Sequence, residues 1–289
     1  MRDFEPSAVL ELCARERVTV AFFVPVMLRA LLAVPDRERH ALVLRRLVYS
    51  GSPIAPSTLR QAMTAFACGF VQIYGMTEAT GAFAQLEPDE HDPGGPRERL
   101  LTSAGRAYPW VDVRVVGLVT GEDVAPGQPG EIWCRSVQTM VGYFARPEET
   151  AQALTGDGWL RTGDVGTRDA DGYLFLLDRK KELIITGGEN VYPAEVEGVL
   201  TAHPDLAEVA VFGVPSEKWG ETVKAAVVAR PGHAVTAESV IAFARERLAA
   251  FKCPTSVDIT PALPRTATGK ITKNVLRDPY WAGFSRRIN

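Results

Sequence analysis

Apolar positions are spaced in three different ways along the 289 residues of this chain. Between Pro6 and Arg17, Val9, Leu10 and Cys13 recur at helical spacing and lead into "VTVAFFV", a pattern that predicts a helix and then a buried strand. Pro25 opens "PVMLRALL" at a first helical position, and "RLVYSGSPI" reads as a strand entering a Gly-Ser-Pro turn. A helix is predicted from Pro56 to about Phe66, and "FVQIYGMTE" forms a further apolar strand ending at Gly75. Such alternation over the first ninety residues predicts a parallel α/β sheet.

From Leu100 to Leu177 the texture becomes short strands, "VDVRVVGLV", "GEIWCRS" and "GYLFLLD", separated by Gly, Asp and Pro turns. A small antiparallel barrel or sandwich fits them, with "RPEETAQAL" able to supply one helix. After Arg179 a turn "TGGEN", a helix from Pro193 with Val196, Val199 and Leu200 on one face, and strands "EVAVFGV" and "TVKAAVV" predict a compact α+β unit. The helix "AESVIAFARERLAAF" places Val240, Ile241, Ala244, Leu248 and Phe251 on one stripe, and "SVDIT" reads as a last strand. The expected organisation is a partial α/β subdomain at 1–99, a β-barrel-like subdomain at 100–177, a junction at 178–181 and an α+β domain at 182–289.

Composition narrows the function classes. With 46% hydrophobic and 23% charged residues the chain can bury a sizeable core. A net charge of -3 leaves no basic surplus for nucleic acid or an anionic membrane surface. No apolar run is long enough to span a bilayer and no signal pattern opens the sequence, so a cytoplasmic location is expected. Cys13, Cys68, Cys134 and Cys253 lack any C-x-x-C spacing, which favours reduced thiols over zinc or disulfides.

Lysines are scarce, 7 against 25 arginines, so Lys270 in "LPRTATGKITKNVLR" invites inspection. It is no Walker loop, because Pro264 and Ile271 stand where that motif needs a glycine and a hydroxyl. Taken alone, Lys270 reads as a solvated charge. Four stretches in fixed order change the picture: "YGMTE" (Tyr74 to Glu78), "RTGD" (Arg161 to Asp164), "DRKKELIITGGENVYPAEVE" (Asp178 to Glu197) and "PRTATGKI". Together they resemble the adenylate-forming superfamily of acyl-CoA synthetases, luciferases and peptide-synthetase adenylation domains. "GVPSEKWGE" and "FKCP" point to the fatty-acid and aryl-acid CoA ligases.

The resemblance implies a two-step reaction: ATP and a carboxylic acid give acyl-AMP and pyrophosphate, and coenzyme A then displaces AMP. It implies that Lys270 bridges carboxylate and α-phosphate oxygens, a part suited to a compact point charge. It gives Thr77 a phosphate-binding hydroxyl and Glu78 a carboxylate for Mg²⁺. Tyr74 would lie against adenine, Gln72 would meet its polar edge, and Gly51, Ser52 and Pro53 would form the other wall. Asp164 would accept both ribose hydroxyls, with Arg179 reaching the same sugar. Lys181 stands where relatives pivot their C-terminal lid domain, and Gly187 and Gly188 would leave room for pantetheine. Trp219 and Phe251 would contact coenzyme A.

From residue chemistry alone, other readings stay open. Tyr74 reads as a core aromatic, Glu78 as a surface acid, Asp164 as a turn former and Lys181 as a solvated charge, with Trp219 and Phe251 as ordinary packed aromatics. The superfamily's Ser/Thr/Gly-rich phosphate loop has no counterpart here. The expectation is therefore a truncated or split ligase whose full activity needs the missing segment in cis or from a second polypeptide, with a complementing N-terminal polypeptide or a homo-oligomer as the partners to look for. The alternatives are a non-catalytic nucleotide- or CoA-binding module and an inactive remnant. Thr80, Gly81 and Ala82 follow "YGMTE" where relatives line the acyl pocket.

Overall fold

A computed structural model describes residues 4–266 and 269–284. The chain divides into two compact units, Met1–Leu176 and Leu177–Asn289.

The first unit opens with helix α1 (Pro6–Arg15), strand β1 (Val20–Phe23), helix α2 (Pro25–Leu32) and strand β2 (Arg46–Tyr49). Helix α3 (Pro56–Phe66), strand β3 (Gly69–Met76), strand β4 (Gly81–Leu86) and the short β5 (Arg106–Ala107) follow. All three helices carry proline at the first turn, where its missing N–H removes only a donor that lacks an intrahelical acceptor. Glu5 caps α1 by accepting from the amides of Ser7 and Ala8.

These strands form one sheet in the order β1-β2-β3-β4-β5. The expected parallel pairing holds for β1 with β2 and β2 with β3, but β4 returns antiparallel to β3 and β5 antiparallel to β4. A short connection of Thr77–Ala79 permits that return, whereas a parallel crossover needs a dozen residues or more. Strand β1 departs from its expected burial. It lies at the sheet edge with Val20 56% and Phe22 54% exposed, so the apolar run covers both faces and only Phe23 is buried. The core beneath the sheet joins Leu10, Leu28, Leu31, Leu47, Leu59 and Phe70.

A second sheet orders β6 (Asp112–Val116), β7 (Gly130–Arg135), β8 (Leu160–Arg168) and β9 (Leu174–Arg179), with β6–β7 and β7–β8 antiparallel. Helix α4 (Pro147–Ala153) precedes β8, in the segment where one helix was anticipated. Inward residues Val115, Ile132, Cys134 and Leu160 are buried.

In the second unit, β10 (Ile184–Thr186) and β11 (Glu189–Val191) form a hairpin, then helix α5 (Pro193–Leu200), long strands β12 (Leu206–Ser216) and β13 (Gly220–Ala229), helix α6 (Ala237–Arg245), β14 (Ser256–Ile259) and helix α7 (Lys273–Trp281). Strand β13 pairs antiparallel with β12 and β10 and parallel with β14. Val209 and Val211 pack under α5 and α6, while Ala210, Phe212 and Val214 face Leu263, Ile271 and Leu276. Burial on both faces explains why "EVAVFGV" reads as a continuous apolar run. Helix α6 stops at Arg245, so the expected stripe ends with Val240 and Ala244, and Phe251 sits in a separate 3-10 turn, 41% exposed.

All four cysteines are free, three of them buried. No helix among the described residues is long and apolar enough to cross a membrane.

Leu47→Ala removes a fully buried side chain from the first unit and is expected to cost about 2–5 kcal/mol. Amide hydrogen exchange should then accelerate in peptides of the elements that share its core, from α1 to β3.

Candidate functional site

In the first unit the "YGMTE" and "RTGD" stretches converge. Tyr74 donates its hydroxyl to Asp164 Oδ2 at 2.6 Å, across 90 residues of sequence. Both residues are only 6% exposed. Burial, then the neighbouring Asp164 charge, pushes the Tyr74 phenol well above its ordinary range, so it stays a donor. The Asp164 amide donates to Thr162 Oγ1, whose hydroxyl donates to the Ile132 carbonyl at 2.6 Å. Tyr74 is thus a core aromatic, its ring 4.5 Å from that of Phe83, and it orients the carboxylate.

The β3–β4 register slips between Tyr74 and Gly75, and Phe83 is left over in the resulting bulge. A Cβ at Gly75 would lie 2.0 Å from the Gly81 carbonyl oxygen, which is why this position must be glycine. The bulge sets the turn that carries Thr77, exposed, and Glu78, half-buried. A loop from the β7–α4 connection clamps this turn. Gln138 Nε2 donates to the carbonyls of Ala79 and Ala82, both at 2.8 Å, and the Met140 amide donates to that of Glu78. Tyr143 donates its hydroxyl to Glu78 Oε1 at 2.7 Å; this bond, then burial, moves the phenol up to about 12. Gln138 and Tyr143 were missed in the sequence, where only the turn-like "GYFARP" hints that the segment is more than a linker.

Gln72 lies in mid-strand, and with its amide nitrogen turned inward it donates to the Ser103 and Ala104 carbonyls at 3.0 and 3.1 Å. Gly51, Ser52 and Pro53 form an exposed turn after β2, with Gly51 at φ 90°. Among the described residues no group of three or more His, Cys, Asp or Glu could hold a metal ion, so Glu78 belongs to no such cluster. That suits only an ion that brings most of its oxygen ligands from elsewhere.

In the second unit, Gly187 and Gly188 have φ 59° and 88° and form the two-residue turn of the β10–β11 hairpin, a geometry open mainly to glycine. The Gly187 amide donates to the Trp219 carbonyl at 2.9 Å, and a Cβ there would lie 2.9 Å from the Trp219 ring, itself 49% exposed. Lys270 is exposed on a hairpin closed by the Arg265–Ile271 bridge and by hydrogen bonds from the Thr266 amide to the Lys270 carbonyl and from the Lys270 amide to Thr266 Oγ1. Residues 267 and 268 lie outside the described residues.

Helix α7 follows directly and anchors that hairpin. Lys273 pairs with Glu197 at 2.7 Å, and Arg277 donates to the Lys181 carbonyl at 3.4 Å. Asp178 accepts from the Arg179 amide and, at the start of α5, from the Ala194 amide, both at 2.7 Å. Burial raises the Asp178 and Glu197 carboxyls above their usual range, while Lys273 opposes the shift in both.

Gly75→Ala forces β3 and β4 apart and is expected to cost about 1–3 kcal/mol. A lowered melting temperature, with faster hydrogen exchange over residues 77–82, is the measurable consequence.

Residues 1–144 match the family described as AMP-binding enzyme, and residues 195–270 match the AMP-binding enzyme C-terminal domain. The chain is 40% identical over 290 residues to a fatty acid–[acyl-carrier-protein] ligase, ScoC, of Streptomyces coeruleorubidus, covering 100% of this chain and 55% of that protein. It is 43% identical over 275 residues to a feruloyl-CoA synthase of an Amycolatopsis species, covering 95% and 54% respectively. Among solved structures, the amide bond synthetase McbA from Marinactinospora thermotolerans aligns with a TM-score of 0.85 at 43% identity, over 97% of this chain and 56% of that one. The chain spans about half the length of the curated relatives it matches. Matched in both parts and similar along its whole length to ligases of activated acids, the chain belongs to the AMP-binding enzyme family.

Proposed function

We propose that the protein is an AMP-forming acid–thiol ligase. It activates a fatty or aryl carboxylic acid as its acyl adenylate and passes the acyl group to coenzyme A. The observation that carries this reading is the buried Tyr74–Asp164 pair. An ionised carboxylate offers two acceptor oxygens, the arrangement that suits a vicinal diol, the signature group of ribose, and the Tyr74 phenol fixes its orientation.

In the first half-reaction a substrate carboxylate oxygen attacks the α-phosphorus of ATP; a P–O bond forms and pyrophosphate leaves with the electron pair of the broken bond. Lys270 offsets negative charge gathered between the carboxylate and α-phosphate oxygens, and Thr77 donates its hydroxyl to phosphate. Asp164 holds the ribose, Arg179 assists it, and Gln72, Tyr74 and the Gly51-Ser52-Pro53 turn shape the base site. Glu78, oriented by Tyr143, would hold Mg²⁺ carried on the nucleotide phosphates, which would supply charge neutralisation there. In the second half-reaction the thiolate of coenzyme A attacks the acyl carbonyl, a C–S bond forms, and AMP departs.

The segment 178–181 serves as a hinge at Lys181 between a main body at 1–177 and a lid at 182–289. Gly187, Gly188, Trp219 and Phe251 contact the thiol substrate. The phosphates are completed by a Ser/Thr/Gly-rich segment, in cis or from a complementing polypeptide. ATP and coenzyme A as co-substrates suit a cytoplasmic enzyme. An acyl carrier protein is the second acceptor to consider, because the likeness to ScoC extends over all 290 aligned residues.

Acid-dependent exchange of labelled pyrophosphate into ATP tests the reading, run with the chain alone and with an added N-terminal half of a similar ligase. Exchange in either arm is expected, and silence in both overturns the proposal. Where exchange occurs, Lys270→Ala should lower it by about 100-fold or more while sparing transfer from supplied acyl-AMP. Asp164→Asn should raise the KM for ATP by about 10-fold, the scale of one lost hydrogen bond to a charged group.

A further inference from the structure

Apart from the residues assigned above, the first unit holds a cavity of about 680 Å³ beside β6, lined by four arginines against two aspartates. None of Gln72, Tyr74, Thr77, Glu78 or Asp164 lines it. Strand β6 ends its sheet, so its outer backbone edge borders this space. A chain of net charge -3 has no general basic surface, and the arginine excess here is local.

Three of the four guanidiniums are held in place by an aromatic face and a carboxylate. Arg114 lies 5.6 and 5.3 Å from the Trp133 and Trp159 rings and gives Nε to Asp123 at 2.5 Å. Arg135 stands 4.5 Å over Trp159 and places Nε and Nη2 on one oxygen of Asp112. Arg106 stands 4.9 Å over Tyr173 and gives Nη2 to the buried Glu90 at 2.9 Å. Each of these contacts uses one or two of five N–H donors, so every fork retains capacity. The fourth, Arg168, gives Nη1 to the Val113 carbonyl on the edge strand at 2.7 Å and pairs with no carboxylate among the described residues.

We propose that this cavity binds a phosphate-bearing small molecule. Guanidinium forks match phosphate oxygens in bidentate fashion, and stacking on tryptophan and tyrosine removes much of the ordering cost before the ligand arrives. The volume lies within the range of small-molecule sites. Asp112, Asp123 and Glu90 orient three of the arginines, the Asp157 carboxylate lies in the field of Arg135 and Arg114, and Arg168 forms no salt bridge among the described residues. Inorganic pyrophosphate and the phosphate of a nucleotide present the same chemistry. This site is independent of the adenylation reading.

Calorimetric titration of the purified chain with pyrophosphate, and separately with AMP, tests the proposal. Pyrophosphate should bind one to one, more weakly as salt rises, with Arg168→Gln weakening it at least about 10-fold. Lys270→Ala should leave that binding as it is. Arg168 is exposed and its side chain hydrogen-bonds to a backbone carbonyl, so its variant should fold even if Arg114→Gln, a companion expected to act alike, does not. Binding of AMP but not pyrophosphate, lost in Arg168→Gln, would assign the site to nucleotides. Failure of both anions to bind at millimolar concentration overturns the proposal, as does binding that survives Arg168→Gln and disappears in Lys270→Ala.

Discussion

The hydrogen bond from Tyr74 to Asp164 ties the first unit together, because it joins its two sheets at a buried carboxylate. An ionised acid removed from water is costly unless donors meet it. Here one donor is a phenol whose own ionisation is suppressed by burial and by the charge it faces. Tyr74 reaches its position because Gly75 lets the β3–β4 bulge form, and Asp164 reaches its own because Thr162 anchors the turn within β8 to the Ile132 carbonyl. A change at any of these points would cost orientation at the carboxylate before it cost the fold.

Around that pair, the candidate side chains Thr77 and Glu78 are held through their backbones. Thr77 and Glu78 lie on a turn of three residues, and Gln138 and Met140 hold that turn through carbonyl oxygens. The second unit uses the same device on Lys270. The lysine is exposed, but the hairpin below it is cross-bridged, and α7 is fixed by the Lys273–Glu197 pair, by Tyr280 on Asp258 at 2.5 Å and by Trp281 on the Gly213 carbonyl. A charged side chain on a fixed base loses less freedom on meeting a ligand than one on a loose loop.

Much of the fold was legible because its signals are local. Proline at first helical turns, the period of "PSTLRQAMTAF" and the turn glycines each act within a few residues, and the helices stand where those signals put them. The candidate site residues come from a different kind of signal, four short motifs in fixed order. The resemblance assigns the Gly187-Gly188 step to making room for a ligand; its φ values supply an immediate structural cause, a two-residue hairpin turn against Trp219.

By itself the sequence determined the element types, the order of the motifs and the family resemblance, since propensity, periodicity and turn chemistry are properties of neighbouring residues. Only tertiary structure decided which distant groups meet. It put the phenol of Tyr143 on Glu78, 65 residues away, turned β4 antiparallel, left β1 at an edge and gathered Arg106, Arg114, Arg135 and Arg168 around one cavity. Those outcomes depend on strand register and on the desolvation of particular polar atoms, and both are fixed only when the sheets have packed.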